Sequence, residues 1–273
     1  MSIAFELDHV GVGARDLAPL AATYERLGFT LTPTARHRGK ATGNRCIMLQ
    51  HGYVELIALL DPSIPDRLHD QLARYAGLHI IALGIHDTAA TLARLHQAGL
   101  TDLTIAPLER PVDDADPHGP QARFERIPLP ETPEGTIQLI KHLTREAIWQ
   151  PRFTTHANGA TALDAVVIAA PNPAETAALV SRLAGVPVVP DPVGGFALPM
   201  GRGTIRMVPP EAVGHIFPGV AAPAMPAIVG MVLATADRCA ALRPLLAGVA
   251  HRAVPEGVMV LPEDAGGAAL LFT

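Results

Sequence analysis

LDHVGVGARDLAPLAATYERLGF, residues 7–29, reads as strand, helix and stop in one stretch. The run FELDHVGVGA (5–14) is apolar, and Asp16 follows it as a helix N-cap, a carboxylate placed to accept from the free N–H groups of a first turn. Leu17, Leu20, Ala21, Tyr24 and Leu27 then recur at helical spacing, and Gly28 closes the helix. The pattern returns at LHIIALGI (78–85), with Asp87 as cap, Leu92 and Leu95 inside TAATLARLHQ, and Gly99 as stop. From cap to stop both copies span the same 12 positions, Asp16 to Gly28 and Asp87 to Gly99.

A third copy opens with LDAVVIAA (163–170), which mirrors LDHVGV, and continues through the cap Asn172, Pro173 in the first turn, Glu175 completing a capping box, Leu179, Leu183 and the stop Gly185. The fourth, IVGMVLA (228–234) followed by TADRCAALRPLLAG (235–248), carries Pro244 inside its helical window, which should kink or shorten that helix. Short apolar segments separated by Gly and Pro follow each helix, as in a meander of strands: RCIMLQ and YVELIAL, ARFERIPL and TIQLIKHL, GGFALPM and TIRMVPP, GVMVLP and AALLFT. The repeating unit is therefore βαβββ. The expected fold is α+β, four such modules paired into two domains, residues 1–150 and 151–273, with TREAIWQPRFTTHANGAT (144–161) as the link.

A duplicated βαβββ unit with a histidine in its first strand and a glutamate in its last resembles the vicinal oxygen chelate superfamily, which includes glyoxalase I, extradiol dioxygenases and antibiotic-resistance proteins. LDHVGVGARDLAPLAATYERLGF, HRGKATGNRCIMLQHGYVELIAL (37–59) and IQLIKHLTREAIWQPRFTTHANGA (137–160) are similar to the glyoxalase-like domain proteins of that superfamily, over roughly residues 5 to 161. The resemblance implies a cleft between two paired modules and a divalent metal ion, Fe, Mn, Ni or Zn, ligated from first and last strands.

Within that frame His9 and Glu55 are the expected ligands. Glu55 stands inside the apolar run YVELIALL, where a carboxylate needs a partner or a cation. His79 is the expected third ligand, completing two histidines and one carboxylate with open positions for water or substrate. The register works against it: seven residues back from Asp16 is His9, but seven back from Asp87 is Ile80, and a one-residue offset turns a strand side chain to the other face. Gln138 stands where Glu55 has its counterpart, and its neutral oxygen makes it a weak ligand or a substrate hydrogen-bond partner. His142, four residues on and on the same strand face, is a candidate ligand or acid–base group, and a histidine at the rim or facing the linker accounts for it equally well. The resemblance places His37, Asn44, His156 and Asn158 around the cleft mouth as substrate-binding candidates; turn chemistry and capping account for such residues equally well. In the C-terminal pair Ala165, and Ile228 or Gly230, take the place of His9, and the last strands offer only Arg206. No metal site is expected there, and this half is expected to be structural, to cap the cleft or to serve in a homodimer.

Composition narrows the partners. With 273 residues, 49% hydrophobic and 17% charged, the chain buries a proper core. A net charge of −5 and a pI near 6.2 leave no basic stripe for nucleic acid. No apolar run reaches the roughly 18 to 20 residues of a membrane span, and MSIAFELDHV lacks the pattern of a signal peptide, so a cytoplasmic location without membrane contact is expected. Cys46 and Cys239 read as buried thiols. GVGARD lacks the third glycine of a dinucleotide fingerprint, and no GxSxG nucleophile elbow occurs. ERPVDDADPHGP (109–120) reads as a surface loop. The function expected is a metal-dependent enzyme acting on a small organic substrate through vicinal oxygens, as a lyase or isomerase or as a ring-cleaving dioxygenase. The alternative is a metal-free small-molecule binding or resistance protein.

Overall fold

The computed structural model describes residues 3–130 and 132–273. The first unit runs β1 (Glu6–Ala14), α1 (Leu17–Arg26), β2 (Ala35–Arg36), β3 (Thr42–Met48) and β4 (Tyr53–Leu59). The Asp16 carboxylate accepts from the Ala18 N–H at 3.0 Å, and Gly28 takes φ +83 with the Leu245 side chain so close that a Cβ would collide with it. A connecting helix, α2 (Leu68–Arg74), precedes the second unit, which is β5 (Gly77–Gly84), α3 (Thr88–Gln97), β6 (Ala106–Pro111), β7 (Gln121–Pro128) and β8 (Thr136–His142). The third comprises β9 (Ala160–Ala169), α4 (Pro173–Ala184), β10 (Val189–Pro190), β11 (Phe196–Pro199) and β12 (Thr204–Val208). After a one-turn helix, α5 (Val213–Ile216), the fourth has β13 (Ala227–Thr235), β14 (His251–Val254), β15 (Gly257–Val260) and β16 (Ala269–Phe272).

The fourth unit holds no α-helix. Arg238 and Cys239 take positive φ, and only a 3-10 turn, Arg243–Leu246, forms around Pro244. Proline there has no N–H to give an α-helical turn and its ring meets the carbonyl four residues back, so the disruption goes further than a kink. The segment ERPVDDADPHGP also departs from expectation: Glu109–Pro111 ends β6, Arg110 is almost wholly buried, and the loop proper starts beyond them.

Within each unit the first strand pairs parallel with the last: β1 with β4, β5 with β8, β9 with β12 and β13 with β16. Units join antiparallel through their first strands, β1 to β5 and β9 to β13. A single bridge, Ile228 to Leu78, links β13 to β5, so the described strands form one sheet. In the first pair the order β2-β3-β4-β1-β5-β8-β7-β6 curls until its ends meet, with Arg38 N–H on Glu109 O and Asp114 N–H on Thr34 O. The result is a cup.

Two irregularities interrupt the β1–β5 seam. Pairing skips Asp8 between Leu7 and His9, and skips His79 between Ile80 and Leu78. Val10, Val12, Ile81 and Leu83 face the helix side and join the main core, while His9 and Ile80 face the cup. That core is continuous across both halves: the Tyr24 hydroxyl donates to Ala265 O at 3.0 Å, and Phe29 stacks on Phe272 at 5.9 Å. Phe272→Ala should therefore cost about 3–5 kcal/mol, and in urea, tryptophan fluorescence from Trp149 and far-UV circular dichroism should shift together as one transition. Separate transitions for the two signals would show that the halves melt independently.

Candidate functional site

The cup of the first pair encloses a cavity of about 400 Å³, within the size range of small-molecule sites. Each wall follows from strand alternation. His9 comes from β1, Thr42 and Asn44 from β3, Tyr53 and Glu55 from β4, Ile80 from β5, Arg110 from β6, Phe124 and Arg126 from β7, and Gln138 from β8. The connector α2 lies across one side of the cup, its Leu68 and Leu72 packing on Ile57 and Ile80. It is tied to β8 by Gln71 and Arg67, which both donate to Thr136 Oγ1 at 2.9 and 3.2 Å.

His9 and Glu55 form the polar centre. His9 Nδ1 is 2.7 Å from Asp8 Oδ1, which orients the ring so that Nε2 faces Glu55 Oε2 at 3.9 Å. Its ring stacks on Tyr53 at 4.3 Å. Asp8 also receives His142 Nε2 on both oxygens, at 3.1 and 3.0 Å. Burial alone would push the Asp8 carboxyl up, but the charge and hydrogen bond of His142, then those of His9, outweigh it and hold the group far below the usual carboxylate range. Glu55 behaves alike: burial raises it, and His37, His9, the Asn44 amide and Arg110 together bring it below its ordinary value. Asn44 Nδ2 donates to both Glu55 Oε1 and His37 Nε2, so His37 Nδ1–H donates to Thr42 Oγ1 at 2.9 Å. Burial pushes His37 down to about 4, with Arg110 and Arg126 adding to the effect against the pull of Glu55. His37 is therefore neutral near pH 7, and Asn44 Oδ1 stays buried without a donor.

Residues 7–184 match the glyoxalase-like domain family. The chain belongs to that family. It is thereby a vicinal oxygen chelate protein, in the α+β fold of paired βαβββ modules. Solved structures share the architecture at low identity. A hypothetical protein from Staphylococcus aureus superposes with a TM-score of 0.67 at 12% identity, covering 98% of this chain and 99% of that one. A 4-hydroxymandelate synthase variant from Streptomyces coelicolor gives 0.63 at 12% identity over 98% and 92%. A xylose isomerase-like TIM barrel/4-hydroxyphenylpyruvate dioxygenase fusion protein gives 0.58 at 15% over 93% of this chain and 40% of its own. No curated protein matches the chain.

Of the residues expected at this glyoxalase-like site, His9, Glu55, His37, Asn44 and Gln138 do meet at the cavity. His79 does not. As the skipped residue of the seam it turns under α2, its Nε2 on Tyr75 O at 2.8 Å and its ring against Tyr75 at 4.2 Å, while Ile80 takes the cleft position. His142 shares the strand face of Gln138 but lies one layer below the cavity. Tyr53 and Phe124 separate it from the cleft, and it acts on His9 through Asp8. His156 is a structural tie, accepting the Thr30 N–H on Nδ1 at 3.1 Å and donating from Nε2 to Met48 O at 2.9 Å. Asn158 caps α1, donating to Leu27 O at 2.9 Å.

Sequence reasoning missed Asp8, Arg110 and Arg126. Alternation in ARFERIPL would have put Phe124, Arg126 and Pro128 on one face; nothing local marks Arg110 as buried. The C-terminal pair contributes no residue to the cavity, so it does not cap the cleft. Its own concave face is filled: Phe217 and α5 pack on Ala165, Val167 and Val229, and a Cβ on Gly230 would stand 2.7 Å from Phe217 Cζ. Gly230, rather than Ile228, thus occupies the concave position, and Arg206 is spent on a bidentate pair with Asp191 at 2.7 and 2.8 Å.

The donor set around Glu55 does not fit a resident divalent ion. His9 Nε2 and His37 Nε2 stand 3.9 and 3.6 Å from different oxygens of Glu55, but Asn44 Nδ2 occupies both His37 Nε2 and Glu55 Oε1, so among the described residues no three His, Cys, Asp or Glu side chains are free to converge on one ion. Ile80 stands where a second histidine is needed, Gln138 Oε1 accepts from Arg126 Nη1 at 3.3 Å, and the two arginines in the walls repel a cation.

The buried histidine makes stability depend on pH. Unfolded His37 takes a proton near 6.5 and the folded chain only near 4, so between these values the unfolded state holds more protons and stability falls as pH falls. The loss should reach about 3 kcal/mol. Urea midpoints at pH 7.5 and pH 4.5 should show it, and His37→Gln should remove most of that difference; an equal drop in both proteins would assign it to other groups.

Proposed function

We propose that the chain is an enzyme of the glyoxalase-like family that moves a proton on a small organic substrate with neighbouring oxygens, using its own side chains in place of a resident metal ion. The observation that carries this reading is the Asp8–His9–Glu55 arrangement. Asp8 holds His9 so that Nε2 faces the cavity, and Glu55 presents an ionised carboxylate 3.9 Å away. Glu55, held ionised, is placed to take the proton from a C–H beside a carbonyl, and the imidazole next to it can return the proton to oxygen. Such transfers need the oxyanion stabilised, and Arg126 and Arg110 in the walls supply fixed positive charge for that purpose. Asn44 Oδ1, buried and without a donor, offers an acceptor for a substrate hydroxyl.

The second reading, a binding or resistance protein on the same scaffold, draws support from Gln138: its amide is neutral where a ligand carboxylate would stand, and it is already engaged with Arg126. Turnover separates the two. Tag-free protein analysed by inductively coupled plasma mass spectrometry should hold well under one equivalent of Fe, Mn, Ni and Zn; about one equivalent that vanishes in both His9→Ala and Glu55→Ala would overturn the metal-independent reading. Incubated in deuterium oxide with small hydroxy and oxo compounds, the wild type should exchange a carbon-bound proton in at least one of them. Glu55→Gln should slow that exchange by about 10²- to 10⁴-fold. Binding without any exchange would leave the sequestering protein.

A further inference from the structure

Several buried carboxylates elsewhere among the described residues have a cationic partner. Asp8 has His142 and His9, Asp191 has Arg206, and Glu6 has Arg145 and Arg202 at 3.6 and 3.8 Å. Two cations in the cleft break that pattern. Arg110, 2% exposed, donates only to neutral acceptors, Pro111 O at 3.2 Å and Cys46 Sγ at 3.6 Å. Burial pushes the Cys46 thiol up to about 12, so it supplies no thiolate. Arg126 donates to the neutral Gln138 Oε1, and its Nε is buried with no acceptor. Neither arginine makes an ion pair among the described residues. Glu55 influences both through space and Asp66 acts on Arg126 as well, yet neither carboxylate is in ion-pair contact with either arginine, and Glu55 Oε1 is already bonded by Asn44.

An unpaired guanidinium in a cavity wall is costly, and an oxyanion in the cavity would offset that cost with charge-assisted hydrogen bonds. Arg110 and Arg126 stand on the cup face of neighbouring strands, on either side of the Leu108–Phe124 pair. This wall comes from the second unit, while His9 and Glu55 come from the first. We infer that the cleft binds a small organic acid, its carboxylate or phosphate oxygens held by Arg110 and Arg126 on the β6–β7 wall and its reactive carbon turned toward His9 and Glu55. This rests on the reading of the cavity as a small-molecule site, and binding is tested apart from turnover.

The probes are lactate, pyruvate, malonate, succinate and glutarate, the methyl esters of the same acids, and inorganic phosphate. Thermal shift and isothermal titration calorimetry on the full chain should show at least one acid or phosphate binding, with the esters silent. A carboxylate response and a phosphate response distinguish the two sources of the anion. Arg126→Met should weaken that binding by about 10- to 100-fold, the loss of one charged hydrogen-bonding group. Arg126→Lys should keep part of it, and raising sodium chloride should weaken the wild type more than Arg126→Met. Arg110→Met serves as the second variant provided its circular dichroism matches the wild type. Glu55→Gln should keep the acid binding even where proton exchange is lost, so failed chemistry and failed anion binding are told apart. Esters binding as tightly as acids, affinity unchanged in Arg126→Met, or no anion binding at all would overturn the inference.

Discussion

The antiparallel seam between β1 and β5 decides what the cleft contains. A strand has a period of two, so one skipped residue reverses the facing of everything on one side of it. The skip at Asp8 lets the same short stretch send an imidazole into the cup and a carboxylate behind it, which is why His9 arrives already oriented by Asp8 and, through it, by His142. The skip at His79 has the opposite consequence. It turns a histidine under α2 and gives its place to Ile80, so β5 brings an aliphatic side chain rather than an imidazole to the cavity.

The same scaffold appears twice in the chain with opposite outcomes. In both pairs the connector between units crosses the concave face. In the first pair α2 lies against Ile57 and Ile80 and leaves a cavity behind it. In the second, α5 and Phe217 sink into the face, and Gly230 provides the room that any larger residue would deny. One cup stays open and the other becomes core. Because β5 and β13 are bridged and Phe272 packs on Phe29, the filled cup braces the open one.

Charge follows the same division. In the filled half the buried carboxylate of Asp191 is met by the cation Arg206. In the open cup the balance tilts the other way: Lys40, Arg67, Arg110 and Arg126 line the walls against the two carboxylates Glu55 and Asp66, and Glu55 is already bonded by Asn44. Such a cavity favours anions over cations, and the missing metal ligands and the surplus of positive charge are consistent with each other.

Much was legible in the sequence because much of it is local. Cap, apolar period and glycine stop act within a dozen residues, so the repeated βαβββ unit, α1, α3 and α4 could be read directly, and Glu55 stood out as a charge in an apolar strand. Counting back from Asp87 even reached Ile80. The rest depends on which strands meet. Arg110 looks like the start of a polar loop until β7 pairs with β6 and buries it; His142 looks like a cleft residue until Tyr53 and Phe124 close over it. His156 and Asn158 owe their roles to Thr30, Met48 and Leu27, more than a hundred positions away. By itself the sequence determined the modules and their outward faces, through short-range propensity and period. Tertiary structure alone decided which side chains share the cavity and which charges go unpaired, because both are set by long-range strand pairing that no local pattern encodes.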